Sequence, residues 1–234
     1  MTEHRVRVGR PLLTRSFFLA IEGVIGVGKT TLARLLQPRF KTGLLLEAFE
    51  ENPFLADFYA DRARYAFQTQ IFFLLSRYRQ QQVVPALLGQ GPLIADYAFA
   101  KDNLFAHLNL EGDEWDVYNR LYEVLAERIP VPDLVIYLRA KTDVLMARIA
   151  TRDRTYERTM DQAYIEHLCQ AYEQYFSTYT QTPLLTIDTD DLDYVRAPDA
   201  LAFVEGQVRM ALGIGAYQQP LWREYDQTLC RHRG

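Results

Sequence analysis

The chain has 234 residues, 49% of them hydrophobic and 24% charged, which suits one large domain with a substantial core and excludes a disordered chain. Asp and Glu number 30 against 26 Lys and Arg, for a net charge of −4, the opposite of the basic balance that a nucleic-acid polymer partner favours. Two cysteines without metal-ligand spacing, Cys169 and Cys230, and the lack of any apolar run near membrane-spanning length lead to the expectation of a reduced, soluble, cytoplasmic protein that contacts no membrane.

Residues 1–16 are polar and basic, with Arg5, Arg7, Arg10 and Arg15, and read as a flexible arm. An apolar run at 17–22 then enters a Gly-x-x-x-x-Gly-Lys-Thr loop at 23–30, and a helical segment follows at 31–37. Strand, Gly-rich loop and helix in that order form the context of a phosphate-cradling loop. Backbone N–H groups of such a loop wrap nucleotide phosphates, and the helix aims its positive end at them. Lys29 is placed to neutralise the β/γ-phosphates, and Thr30 to offer its hydroxyl to Mg²⁺.

Four further short apolar runs, at 44–47, 93–96, 134–138 and 184–188, alternate with longer helical patterns. Such runs predict strands buried on both faces of a parallel sheet. The fold class is therefore α/β, a five-stranded parallel sheet flanked by helices. Glu47, Asp96 and Asp188 close three of the runs. Ligands bind beyond the carboxyl ends of strands in such sheets, so Glu47 and Asp96 belong to the edge that bears the phosphate loop.

Helical patterns cover 62–88, 113–129, 161–179 and 198–212, and several carry aromatic stripes. Stripes of this kind are usually core or subunit interface, and that of 113–129 is a candidate interface. Residues 17–213 form the expected domain, and 214–234, with Pro220, Trp222 and Tyr225, an irregular tail. A phosphate loop alone does not separate a kinase from a GTPase. Ala140-Lys141-Thr142-Asp143 approaches the guanine-reading Asn-Lys-x-Asp motif but lacks its Asn. It also opens a helical pattern at which Thr142 or Asp143 is expected as the cap.

Three stretches narrow the class: 21–31, Ile-Glu-Gly-x-x-Gly-x-Gly-Lys-Thr-Thr; 47–59, from Glu47 through Asn52-Pro-Phe-Leu55 to Tyr59; and 67–77, Phe-Gln-Thr-Gln70 to Arg77. Together they resemble the deoxynucleoside kinase family, which includes deoxycytidine, deoxyguanosine and deoxyadenosine kinases. The resemblance runs from about residue 17 to about residue 188. Asn52-Pro-Phe-Leu55 and Asp96-Tyr-x-Phe-x-Lys-Asp102 make it most similar to the bacterial purine enzymes.

The resemblance implies a P-loop kinase fold with an Arg-rich lid, a homodimer, and transfer of the γ-phosphate of ATP to the 5′-hydroxyl of a deoxynucleoside, a purine being favoured. Gly23, Gly26, Gly28, Lys29, Thr30 and Thr31 would bind ATP. Glu47 matches the general base, since a carboxylate there can take the hydroxyl proton as the oxygen attacks. Gln70 matches the base-reading glutamine, whose amide is both donor and acceptor. Arg77, two helical turns on and about 10 Å along the axis, matches an arginine near the base. Tyr59 and Glu157 match the pair on the sugar 3′-hydroxyl. Arg148, Arg152, Arg154 and Arg158 bracket the lid-like segment, with Arg152 and Arg154 fitting best because guanidinium forks suit phosphate oxygens. Asp96 keeps an acidic position that binds Mg²⁺ through water.

After the third strand the family usually carries Glu/Asp-Arg-Ser, whereas this chain has Asp96-Tyr97-Ala98. Tyr97 cannot supply the arginine's charge, which leaves Lys101 or a lid arginine as the substitute. Asp102 roughly matches an aspartate that contacts the base, with a spacing to Phe105-Ala106 one residue shorter than in the animal enzymes. A nucleoside-monophosphate kinase shares the fold, but its acceptor needs added cations where 47–59 offers Glu47, Glu50, Glu51 and Asp57. A nucleotide-binding regulator without turnover is the alternative of another class.

Overall fold

A computed structural model describes residues 16–158 and 160–214. The expected arm and tail lie outside the described residues, apart from Ser16 and Ile214, and so does Cys230. Five parallel strands, β1 (Phe18–Gly23), β2 (Gly43–Leu45), β3 (Leu93–Ala95), β4 (Leu134–Arg139) and β5 (Leu184–Asp188), form one sheet in the order β2-β3-β1-β4-β5. The central strands are buried throughout or nearly so: β1 and β3 wholly, and β4 up to Leu138. The edge strands depart from the expected two-sided burial, since β2 and β5 stay partly exposed. An edge strand lacks a neighbour on one side, so its cover is incomplete there.

Strand β1 lies between β3 and β4, so the chain builds one half of the sheet with β2 and β3 and then crosses over β1 to build the other with β4 and β5. A crevice opens at the carboxyl ends of the strands where the order reverses in this way. The helix α1 (Lys29–Phe40) starts in that crevice, directly after the phosphate loop. α2 (Leu55–Ala60) and α3 (Arg62–Gln81) follow β2 and, with the start of α1, line one pocket. Asp61 caps α3 by accepting from the Arg64 N–H, which satisfies one of the otherwise unpaired donors of the first turn.

The helical pattern of 62–88 divides into α3 and α4 (Val84–Leu88). Pro85 explains the break: it has no N–H, and its ring would collide with the Gln81 carbonyl four residues earlier. Two short helices went unread, α2 and α5 (Lys101–Asn109), because neither is long enough to establish a period. Beyond them come α6 (Gly112–Ala126), α7 (Thr142–Arg152), α8 (Gln162–Ser177) and α9 (Pro198–Ala211). The expected cap at Thr142 or Asp143 is not formed. The N-cap of α7 is Lys141, which makes no side-chain cap bond, and Asp143 sits in the first turn, where its charge suits the helix dipole.

The aromatic stripe of α6 turns inward. Tyr118 is fully buried and stacks between Trp115 and Tyr122, and Tyr122 stacks on Phe99. Val117 and Val124 occupy the outer face instead. No helix among the described residues is long and apolar enough to cross a membrane.

Candidate active site

The pocket is built from the ends of three strands. β1 runs into the phosphate loop, where Gly23, Gly26 and Gly28 all have positive φ. Gly23 shows why a side chain is excluded: at φ 145 an added Cβ would collide with the backbone oxygen of Leu138 on the neighbouring strand. At Gly28, with φ 104, a Cβ would meet the Tyr194 hydroxyl at 2.6 Å. Gly23→Ala is therefore expected to destabilise the β1–β4 junction itself. Backbone strain of this kind costs about 1–3 kcal/mol, and each kcal/mol lowers Tm by about 2–4 °C in a domain of this size. A thermal melt checks this, and an unchanged Tm would contradict the reading of Gly23.

Lys29 lies along the loop, its Nζ donating to the carbonyls of Gly23 at 2.6 Å and Val24 at 3.2 Å. Burial, and next the ammonium of Lys101, pull its pKa down to about 8. Thr30 donates its hydroxyl to Asp96 Oδ2, and Asp96 Oδ1 accepts the backbone N–H of Glu47 at 2.8 Å. Asp96 thus ties the end of β3 to both the phosphate loop and the end of β2. Hydroxyl and carboxylate oxygens at the start of a helix fit Mg²⁺, which is typically bound by one or two carboxylates plus phosphates.

Glu47, two residues beyond β2, carries the densest set of contacts. Arg77 donates through Nε at 2.8 Å, and through Nη2, to Oε1. Lys101 donates to Oε2 at 2.6 Å. Burial pushes the Glu47 carboxyl up, but Arg77 and then Lys101 outweigh it and hold it well below the usual carboxylate range. Arg77 also pairs through Nη1 with Asp102, which is fully buried. Burial lifts Asp102 to about 6 against the pull of Arg77.

The rest of the pocket wall is aromatic and polar in alternation. Gln70, 2% exposed, faces the pocket beside Phe73 and Arg77, and its Oε1 has no hydrogen-bond partner among the described residues. Tyr59 and Glu157 line the same pocket, with Tyr156 stacked on Tyr59 at 6.0 Å. Glu157 is held in a fork by Arg152 Nη2, 2.6 Å from Oε1 and 2.5 Å from Oε2. Arg154 lies 3.6 Å from Glu157 and packs 4.2 Å over the Phe49 ring.

Most of the expected residues therefore come together around one pocket: Gly26, Lys29, Thr30, Glu47, Tyr59, Gln70, Arg77, Asp96, Arg152, Arg154 and Glu157. Asp102 stands behind Arg77 rather than on the pocket wall, so it reaches the site through that guanidinium. Thr31 is exposed on α1. Asp188, though it ends β5, is exposed and paired with Arg139 at 2.6 Å. Arg148 is bound to the Thr189 carbonyl and hydroxyl at 2.6 and 2.9 Å, and Arg158 to Asp153 on the surface. Tyr97 is fully buried and lies off the pocket wall.

Glu22 is the residue that sequence reasoning passed over. Its buried carboxylate accepts from the Ala98 N–H at 2.5 Å, the Tyr172 hydroxyl at 3.1 Å and the Gly23 N–H at 3.2 Å. It joins the phosphate loop to the segment between Asp96 and Lys101. The signal was present, since Glu22 is the only charged residue in an otherwise apolar strand.

A phosphate loop, a carboxylate opposite it and an amide on an aromatic wall define a P-loop kinase with a small organic acceptor. Residues 19–209 match the family model described as deoxynucleoside kinase, and the chain belongs to that family. It is accordingly a kinase that phosphorylates deoxynucleosides. A deoxyguanosine kinase of Bacillus subtilis (strain 168) is 36% identical over 184 residues, 76% of this chain and 89% of that protein. A deoxyadenosine kinase of Dictyostelium discoideum is 32% identical over 73% of this chain and 71% of its own length. Among solved structures, deoxyadenosine kinase from M. mycoides with bound dATP superimposes with a TM-score of 0.72 at 24% identity, covering 82% of this chain and 99% of that one.

Proposed function

We propose that the chain transfers the γ-phosphoryl group of ATP to the 5′-hydroxyl of a purine deoxynucleoside. The observation that carries this is Glu47, held between Arg77 and Lys101 in the pocket that also contains Lys29 and Thr30. Arg77 and Lys101 aim its carboxylate, which orients the acceptor hydroxyl and receives its proton as the O–P bond forms. Lys29 holds the β/γ-phosphates. Thr30, and Asp96 through water, would hold Mg²⁺, which when bound supplies positive charge to the phosphate oxygens.

Arg152 and Arg154 form the lid over the phosphates, and Tyr59 with Glu157 takes the 3′-hydroxyl. Gln70 reads the base, its free Oε1 accepting from a donor on the base edge, with Arg77 and Asp102 behind it. The purine preference rests on the deoxyguanosine and deoxyadenosine kinases among the relatives. A homodimer through α3 and α6 is the proposed assembly, supported by exposed Leu75, Val117 and Val124 on these adjoining helices. A cytoplasmic location fits a salvage enzyme of this kind.

The four deoxynucleosides, assayed with Mg-ATP, test the purine reading: deoxyguanosine or deoxyadenosine should give the highest kcat/KM, and a pyrimidine at the top would overturn it. Gln70→Ala should lower kcat/KM for the preferred base about tenfold or more, the order of two lost hydrogen bonds, and flatten the preference among bases. An unchanged ranking would remove Gln70 from base reading.

A further inference from the structure

The geometry points to Lys101 as the residue that positions Glu47 for catalysis. This rests on the reading of Glu47 as the group that orients and accepts the proton of the acceptor hydroxyl. Four observations converge on Lys101. Its Nζ lies 2.6 Å from Glu47 Oε2, and this is its one ion pair among the described residues. Its side chain is only 8% exposed, and lysines are almost never buried unless they are paired. It is the first residue of α5, where a cation opposes the helix dipole. Its position on the pocket wall gives that locally unfavourable placement a functional reason, as expected where a local rule is broken.

The division of labour between the two cations follows from their other partners. Arg77 is shared between Glu47 and the buried Asp102, so its guanidinium is clamped and fixes Oε1. Lys101 forms no second ion pair among the described residues, although the buried Glu22 carboxylate is near enough to interact with its charge, and it rests its chain near the Phe105 ring, 5.5 Å from the ammonium. It fixes Oε2, and with both oxygens held, the carboxylate plane has one orientation toward the pocket. The lid arginines are not placed for this role: Arg152 pairs with Glu157, and Arg154 lies between Glu157 and Phe49. Misplacement of a reacting group by about 1 Å can cost about 10²-fold in rate. Lys101 therefore acts on turnover through Glu47, and not on the binding of either substrate.

The test is a series at this position, Lys101→Met, Lys101→Gln and Lys101→Arg, with Glu47→Gln beside it. Lys101→Met should lower kcat about 10- to 100-fold with the KM of ATP and of the deoxynucleoside within about threefold, the signature of an interaction realised in the transition state. Lys101→Arg, which restores the charge, should return kcat to within tenfold of the parent. Lys101→Gln, which keeps one donor without the charge, should fall between the two and guards against loss of fold in the Met variant, as a thermal melt of each will show. A kcat within twofold of the parent in Lys101→Met while Glu47→Gln is inactive would overturn the role of Lys101 and leave that of Glu47 intact. Full activity in both would overturn the reading of Glu47 itself. A raised KM with unchanged kcat, or a loss that arginine does not recover, would also overturn the positioning role.

Discussion

Glu47→Gln is expected to lower kcat about 10²–10³-fold, within the range for loss of a positioned acid–base group, while the affinity for ATP and deoxynucleoside changes little. The physical reason lies in the contacts of the carboxylate. In the variant the amide oxygen can still accept from Arg77, so the buried guanidinium keeps its partner. The NH₂ group replaces Oε2 and faces the Lys101 ammonium, which now sits 2.6 Å from that position, donor against donor. Lys101 borders the pocket and can turn away, so the fold should survive. What cannot be replaced is the proton acceptor. A carboxylate held this far below its usual range by Arg77 and Lys101 is a weak base in the ground state. On the proposed reading it holds the hydroxyl in line and takes the proton late, as suits a loose transition state with little bond formation to the nucleophile. Single-turnover kinetics and binding titrations separate the two parts of this prediction. Near-normal turnover of the variant would remove Glu47 from the chemistry.

Arg77→Met should have the largest effect on the protein as a whole. It leaves Asp102, fully buried, without its ion-pair partner and strips Glu47 of one of its two cations. Breaking a buried pair by removing one member costs about 3–5 kcal/mol, about 6–20 °C in Tm at 2–4 °C per kcal/mol, and activity should be lost with it. Adding Asp102→Asn removes the stranded charge, so the double variant should recover much of the Tm but none of the activity. The two substitutions are directly coupled, and their interaction energy should lie well outside additivity. A Tm within about 2 °C of the parent for Arg77→Met alone would show that the pair is not a structural element.

The part of the site that lies along the chain was legible in the sequence. Strand, Gly-rich loop and helix around Lys29, and the acidic residues closing the second and third apolar runs, mark one edge of the sheet from sequence alone. The spacing of Gln70 and Arg77 put both on one face of α3, and both do line the pocket. What could not be read was pairing across the fold. The Arg77–Asp102 contact joins residues 25 apart in sequence and the Lys101–Glu47 contact residues 54 apart, and no local pattern encodes either. Lys101 could be put forward only as one of several replacements for the arginine missing at Tyr97. Tyr97 is fully buried, and the second cation beside Glu47 is Lys101, the first residue of α5, which is why Lys101 is the proposed replacement. The aromatic stripe of α6 shows the converse limit. Periodicity marks an apolar face, but Tyr118 and its neighbours bury it against the chain's own α5 side, leaving valines outside.

That the acceptor is a sugar hydroxyl and not a phosphate is the proposal on which the roles of Glu47, Tyr59 and Glu157 depend. It is tested most directly by presenting the full chain with Mg-ATP and, in parallel, deoxyguanosine, deoxyadenosine and their 5′-monophosphates, and identifying the products by phosphorus NMR. The geometry around Glu47, with Asp96 and the Arg-clamped Glu157 lining the same pocket, predicts 5′-monophosphates from the deoxynucleosides and no diphosphate from the monophosphates. Diphosphate formed from a monophosphate, with the deoxynucleosides untouched, would contradict it.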